Sequence, residues 1–239
     1  LAIDADTRYL DPNAAAKKVS DLLRQHSASH PQIVFKKVDS TLRGNVAHEL
    51  GAALRIQREL QARSSPVVAV LAPAFPANGR TTVKGRQLLN GRPLEKTEIW
   101  RRERKQGSSY IPEMLAEAGL RSALLDLETV RASNGDLRNV VVDLARSADV
   151  LVCDSEMESD LAAVANAASF LGAQAVGAGS AGLAYWLPQA LSLAPTARVI
   201  SGQSLAKGQT LFVIGSPSNS SREQAKALEP SSNIVTIPL

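Results

Sequence analysis

Apolar and polar positions along this chain follow two alternating periods. Short apolar runs at residues 33–38, 67–72, 123–127, 150–153 and 175–177 read as buried strands, as do 1–5, 211–215 and 234–237. Between them the spacing turns helical. Asp11 is a good N-cap, Pro12 suits a first helical turn, and Ala15, Ala16, Val19, Leu22 and Leu23 form one apolar stripe. A second helix is expected over 46–61, with Val46, Leu50, Ala53, Leu54 and Leu60 on one face. Others are expected over 110–118, 137–146, 158–171, 181–191 and 220–228. Such alternation predicts an α/β fold, a mostly parallel sheet flanked by helices on both faces. Residues 193–208, with Pro195, Ser201, Gly202 and Gly208, read as a linker. We therefore expect one α/β domain over residues 1–200, then over 201–239 a linker and the beginning of a second α/β domain.

Composition narrows the class. The 239 residues are 44% hydrophobic and 21% charged, ordinary for a soluble globular protein. A net charge of +4, scattered along the chain, with only 4% aromatics, argues against nucleic acid as a partner. The lone Cys153 excludes an intrachain disulfide and follows Val150-Leu151-Val152, so it reads as a core thiol. His26, His30 and His48 lack ligand spacing, and no metal site is expected. No apolar run has the length of a membrane span and no signal peptide is evident, so the expected location is the cytoplasm, with no membrane partner. Leu1 opens what reads as a strand already in progress, and further residues are expected upstream.

Candidate chemistry sits where predicted strands end. The block Lys36-Lys37-Val38-Asp39-Ser40-Thr41-Leu42-Arg43-Gly44-Asn45 joins a strand to a helix start, where ligands gather in open α/β sheets. Lys36, Lys37 and Arg43 could hold a carboxylate or phosphate, and Asp39 could accept a proton from a hydroxyl. Arg8, at the end of the first predicted strand, would face the same edge if the two strands are neighbours. A solvated, capped loop and a surface arginine are the alternatives. A second block runs from Ala72 to Thr82, where Arg80, Thr81 and Thr82 offer a cation and two hydroxyls. The turn Gly177-Ala178-Gly179-Ser180-Ala181-Gly182 suits either an anion cradle or tight packing, and it lacks a dinucleotide fingerprint. Gly215-Ser216-Pro217-Ser218-Asn219-Ser220 suits nucleotide phosphates or simple capping, without a Walker lysine. The basic run Arg101-Arg102-Glu103-Arg104-Lys105 reads as a solvated face.

Taken in order, these blocks resemble the four-carbon acid sugar kinase family. The residues that carry the resemblance are the 36–45 block, Pro73-Ala74-Phe75-Pro76 with Gly79-Arg80-Thr81-Thr82, Gly91-Arg92-Pro93-Leu94 with Thr97-Glu98, Asp6-Thr7-Arg8, Gly179–Ala184, and Gly215-Ser216 with Ser218. The resemblance implies a two-domain, ATP-dependent kinase, using Mg2+ with its substrates, that phosphorylates a hydroxyl of threonate, erythronate or a 3-oxo-tetronate. It implies that Arg8, Lys36, Lys37, Val38, Asp39, Ser40 and Arg43 contact the sugar acid, with Arg80 and Thr81 lining the same cleft. Ser216 and Ser218 would contact nucleotide. The family's Asp-Asp-x-Thr-Gly segment would lie upstream of Leu1 and most of the nucleotide domain beyond Leu239, so the catalytic base is left open, Asp39 being one candidate. On this reading the 239 residues alone would bind substrate incompletely and would not turn over. The alternative is a non-catalytic protein that binds a sugar acid or phosphate, and a secreted effector ranks last. Self-association into a homo-oligomer is left open.

Overall fold

The structure is a computed structural model and describes residues 1–27, 33–61, 67–103, 107–132, 134–193, 213–214 and 219–228. The chain divides into two compact units, Leu1–Pro195 and Thr196–Leu239. In the first, helix α1 (Pro12–Gln25) starts at Asp11, whose carboxylate accepts from the N–H groups of Asn13 and Ala14 at 3.0 and 3.1 Å, a cap worth about 1 kcal/mol. It is followed by β1 (Val34–Lys37), α2 (Val46–Leu60) and β2 (Val68–Ala72). Three short strands come next, β3 (Arg80–Val83), β4 (Arg86–Leu89) and β5 (Arg92–Pro93), then helices α3 (Glu98–Arg102) and α4 (Ile111–Glu117). The unit closes with β6 (Ser122–Leu125), α5 (Leu127–Arg131), α6 (Asn134–Leu144), β7 (Val150–Cys153), α7 (Glu158–Ser169), β8 (Ala175–Gly179) and α8 (Ala181–Ala190). In the second unit the described residues contain α9 (Asn219–Leu228).

The main sheet is parallel throughout, in the order β1-β8-β2-β7-β6. Strand alternation sorts its side chains onto two faces. Ala69, Leu71, Val152 and Val176 pack with Val19 of α1, Leu50 of α2 and Leu115 of α4. Val68, Val70, Leu151 and Cys153 pack with Val130 of α5, Val141 of α6, Leu161 of α7 and Leu183 of α8. Helices therefore cover both faces, and the central strands β2 and β7 are apolar runs buried along their whole length. Burial pushes the Cys153 thiol well above its ordinary range, as befits a core residue.

Two expectations need correction. Residues 1–5 form no strand: they have no ladder partner among the described residues, and Leu1 is 95% exposed. Leu60, expected on the buried face of α2, is 49% exposed at the helix's last position. The predicted strands at 211–215 and 234–237 fall largely or wholly outside the described residues. The antiparallel sheet β3-β4-β5, by contrast, was unforeseen. Its two-residue turns, Lys84-Gly85 (φ 50° and 71°) and Asn90-Gly91 (49° and 75°), take the left-handed pair of a type I′ hairpin. This small sheet is attached at the carboxyl edge of the main one through a bridge between Thr82 and Ser155.

The glycine-rich turn between β8 and α8 is a packing joint. A Cβ on Gly182 would lie 2.7 Å from the Ala74 carbonyl oxygen and 2.9 Å from Leu161. Ser180 spends its hydroxyl on the Ala74 carbonyl (2.6 Å) while accepting from the Gly182 N–H (2.9 Å). Gly182→Ala should gain helix propensity yet lose more to the clash, a net destabilisation of about 2 kcal/mol. Urea unfolding measures it, and an unchanged midpoint would mean that the turn has slack.

Candidate functional site

Strand β1 delivers Lys36, Lys37, Val38 and Asp39 to the carboxyl edge of the sheet, and Asp39 then folds the chain back on itself. Its Oδ1 accepts from the Thr41 N–H (2.8 Å) and hydroxyl (2.5 Å), an Asx-type turn, while the Leu42 N–H donates to the Asp39 carbonyl (2.9 Å). Leu42 pays for this path with φ 55°, a strain of about 1 kcal/mol that its fully buried side chain holds in place. Asp39 Oδ2 gathers cations: Arg43 donates from Nε (3.0 Å) and Nη2 (2.5 Å), and Arg8 from Nη2 (3.3 Å). Burial works to raise the Asp39 pKa, but hydrogen bonds from Arg43 and Thr41 overcome it and hold it down at about 2. A carboxylate that titrates there is a weak general base at neutral pH. It serves better as the anchor of two guanidinium groups.

Asn45 donates its side-chain amide to the carbonyls of Thr7 (3.2 Å) and Leu10 (2.9 Å), tying the 7–10 segment to the start of α2. It makes no capping bond, so the first-turn N–H groups of α2 have no side-chain cap. One turn further, Glu49 is only 4% exposed. Its Oε1 accepts from the Thr7 hydroxyl at 2.7 Å, and its Oε2 pairs with Lys36 Nζ at 2.5 Å. Lys36 also donates to the Lys37 carbonyl (3.2 Å), and Lys37 to that of Val38 (2.8 Å). The 1–9 segment, β1 with the loop behind it, and residues of α1 and α2 surround a cavity of about 850 Å³.

Arg8, Lys36, Lys37, Val38, Asp39 and Arg43 all line that cavity. Ser40 does not, and its carbonyl accepts from Gln87 Nε2 of β4 at 2.8 Å. Arg80 and Thr81 also lie outside the lining, in β3, where Arg80 Nη1 donates to the Asn78 carbonyl at 2.5 Å. Ser216 and Ser218 fall outside the described residues. The sequence reading missed Thr7, Glu49, Gln87 and Asp154. For Glu49 a signal existed, since it lies three residues after Val46 inside the apolar stripe of α2. Asp154, fully buried at the end of β7, accepts from the N–H groups of Lys84 (2.5 Å) and Gly85 (2.8 Å) and so clamps the first hairpin turn. Desolvation pushes its carboxyl up to about 6, against the pull of those two bonds and with help from the charges of Asp126 and Glu156.

The carboxyl edge of an open parallel sheet thus gathers basic side chains and two carboxylates, Asp39 and Glu49, around one cavity. Residues 1–187 match the family described as the sugar-binding N-terminal domain, and the chain belongs to that family. It is 42% identical over 186 residues to a D-threonate kinase of Cupriavidus necator, covering 77% of this chain and 42% of that protein. A D-threonate kinase of Salmonella typhimurium is 34% identical over 229 residues, covering 94% of this chain and 50% of that one. Among solved structures, a domain of unknown function from Bordetella bronchiseptica, a domain-swapped dimer with bound citrate, aligns with a TM-score of 0.64 at 30% identity over 77% of this chain and 42% of that one. The chain thus spans about half or less of the length of these relatives. No helix among the described residues is long and apolar enough to cross a membrane.

Proposed function

We propose that this cavity binds an open-chain sugar acid and that the protein acts as an ATP-dependent kinase on four-carbon substrates such as D-threonate or D-erythronate. The convergence of Arg8, Lys36 and Arg43 with Asp39 around one cavity carries the reading. The guanidinium groups suit the carboxylate of the ligand, and the polar groups beside them suit its hydroxyls. Identity to two D-threonate kinases supports the choice of substrate.

On this reading residues 1–200 hold the sugar acid, and residues 201–239 begin a nucleotide-binding domain to which Ser216 and Ser218 contribute. Arg80 and Thr81, in β3 outside the lining of the cavity, support the site from the hairpin side. ATP arrives with Mg2+, which neutralises charge on the transferring phosphoryl group, and the protein chiefly aligns the accepting hydroxyl. The protein works in the cytoplasm, and self-association into a homo-oligomer is compatible with the domain-swapped dimer of the Bordetella structure. The test is ADP release by the full-length gene product, given ATP, Mg2+ and a panel of D-threonate, D-erythronate and 3-oxo-tetronate. At least one of them should drive ADP formation. Sugar-acid binding with no nucleotide binding and no ADP above background would point instead to a sensor and overturn the kinase.

A further inference from the structure

The pair formed by Lys36 and Glu49 is costly to keep in a binding cavity. Two charges are withdrawn from water there, and they largely cancel one another. If the cavity needed only positive charge to attract an anion, a free lysine would serve better. What the pair provides is a mixed set of hydrogen-bonding groups. Glu49 uses one lone pair on each oxygen, for Thr7 and for Lys36, and further lone pairs remain. The Lys36 ammonium has three N–H donors, of which one meets Glu49 and one the Lys37 carbonyl. Thr7 donates to Glu49 and keeps its oxygen as an acceptor.

A hydroxyl both donates and accepts, and this corner offers both to it. A second carboxylate only accepts, and here it would face Glu49. The Arg8–Asp39–Arg43 cluster is different: Arg43 divides itself between Asp39 and Glu103, 4.0 Å away, whereas Arg8 meets Asp39 through one Nη and keeps further N–H donors for a carboxylate.

We propose that Glu49 is the specificity-determining residue of this cavity: by neutralising Lys36 it makes one end a hydroxyl-reading subsite and limits the ligand to a single carboxylate. The inference rests on the sugar-acid reading of the site. It also gives Thr7 a purpose, since the Thr7–Glu49–Lys36 chain links the segment carrying Arg8 to β1 through one buried carboxylate. A shift of Glu49 would thus misplace both cation groups.

The informative pair of ligands is D-threonate and tartrate, which differ by a terminal hydroxymethyl group against a second carboxylate. Calorimetric titration of the full-length gene product should show D-threonate preferred. Glu49→Gln keeps the shape and an acceptor for Thr7 but leaves the Lys36 charge unbalanced. It should weaken D-threonate and strengthen tartrate, moving their affinity ratio by about tenfold or more toward the dicarboxylate. Lys36→Gln should move it the other way, and it keeps the test open if Glu49→Gln does not fold. A folded variant of either kind with a ratio within about twofold of wild type overturns the assignment of specificity. A wild-type protein that binds neither ligand overturns the sugar-acid site itself, a separate result.

Discussion

Asp39→Ala will lower kcat/KM for the sugar acid by about a hundredfold or more, the largest loss expected from any single side chain of the site. The alanine frees Arg8 and Arg43 from their shared oxygen and removes the acceptor that closes the turn at Thr41. Charge-assisted bonds of this kind contribute about 1.5–3 kcal/mol each, so losing the alignment of even one arginine accounts for most of the effect. Asp39→Asn should keep the turn, through its remaining carbonyl oxygen, but hold the arginines weakly, with an intermediate loss. The same carboxylate makes a pH signature. Because its folded pKa lies near 2, below the unfolded value near 3.8, its contribution is complete above about pH 4 and is lost as pH falls toward 2. Allowing for solvent at the site, that contribution is about 1–2 kcal/mol. Normal kcat/KM in folded Asp39→Ala would remove the cluster from the binding site, and failure of that variant to fold would make the block structural.

The fold was legible wherever one physical signal dominated. Residues 150–153 read as a strand and form one, because a run of Val-Leu-Val-Cys has no polar face to place elsewhere. Asp11 and Pro12 marked the start of α1 through capping chemistry that needs no tertiary partner. The hairpin sheet was missed because Arg80-Thr81-Thr82 was read for its polar groups, although Lys84-Gly85 and Asn90-Gly91, six residues apart, carry the two-residue turn signal. Residues 1–5 have strand composition, but composition cannot supply a neighbouring strand. In the cavity, the 36–45 block announced its charges, whereas the division of labour among them depended on distances. Lys36 and Arg43 look equivalent in sequence, yet one is cancelled by Glu49 and the other shares Asp39 with Arg8. Glu49 is contributed by the helix after the block and Thr7 by the segment before α1, so only the folded chain brings them together.

Asp154 carries the opposite pH signature and the second large effect. Asp154→Ala should destabilise the protein by about 3 kcal/mol, since the N–H groups of Lys84 and of buried Gly85 lose their acceptor and a small void replaces the fully buried carboxylate. Its folded pKa of about 6 lies above the unfolded value, so between about pH 4 and pH 6 the folded state binds more protons than the unfolded one. Stability from this group is therefore full below about pH 4 and declines as pH rises through 6, by about 1–2 kcal/mol once screening is allowed for. Urea unfolding of wild type and Asp154→Ala at pH 4 and pH 7 isolates the group. The wild-type advantage should be larger at pH 4, and an equal or smaller one there would refute the raised pKa. The consequence reaches the cavity. Asp154 clamps the turn between β3 and β4, Gln87 of β4 donates to the Ser40 carbonyl, and Ser40 adjoins Asp39. Gln87 is itself fixed by Thr82, whose hydroxyl donates to its Oε1 at 2.6 Å. Loosening the clamp should thus raise KM for the sugar acid severalfold with kcat less affected, because the hairpin supports the binding loop without touching the ligand. Gln87→Ala, which cuts the link while leaving the clamp intact, should reproduce the KM change without the pH signature.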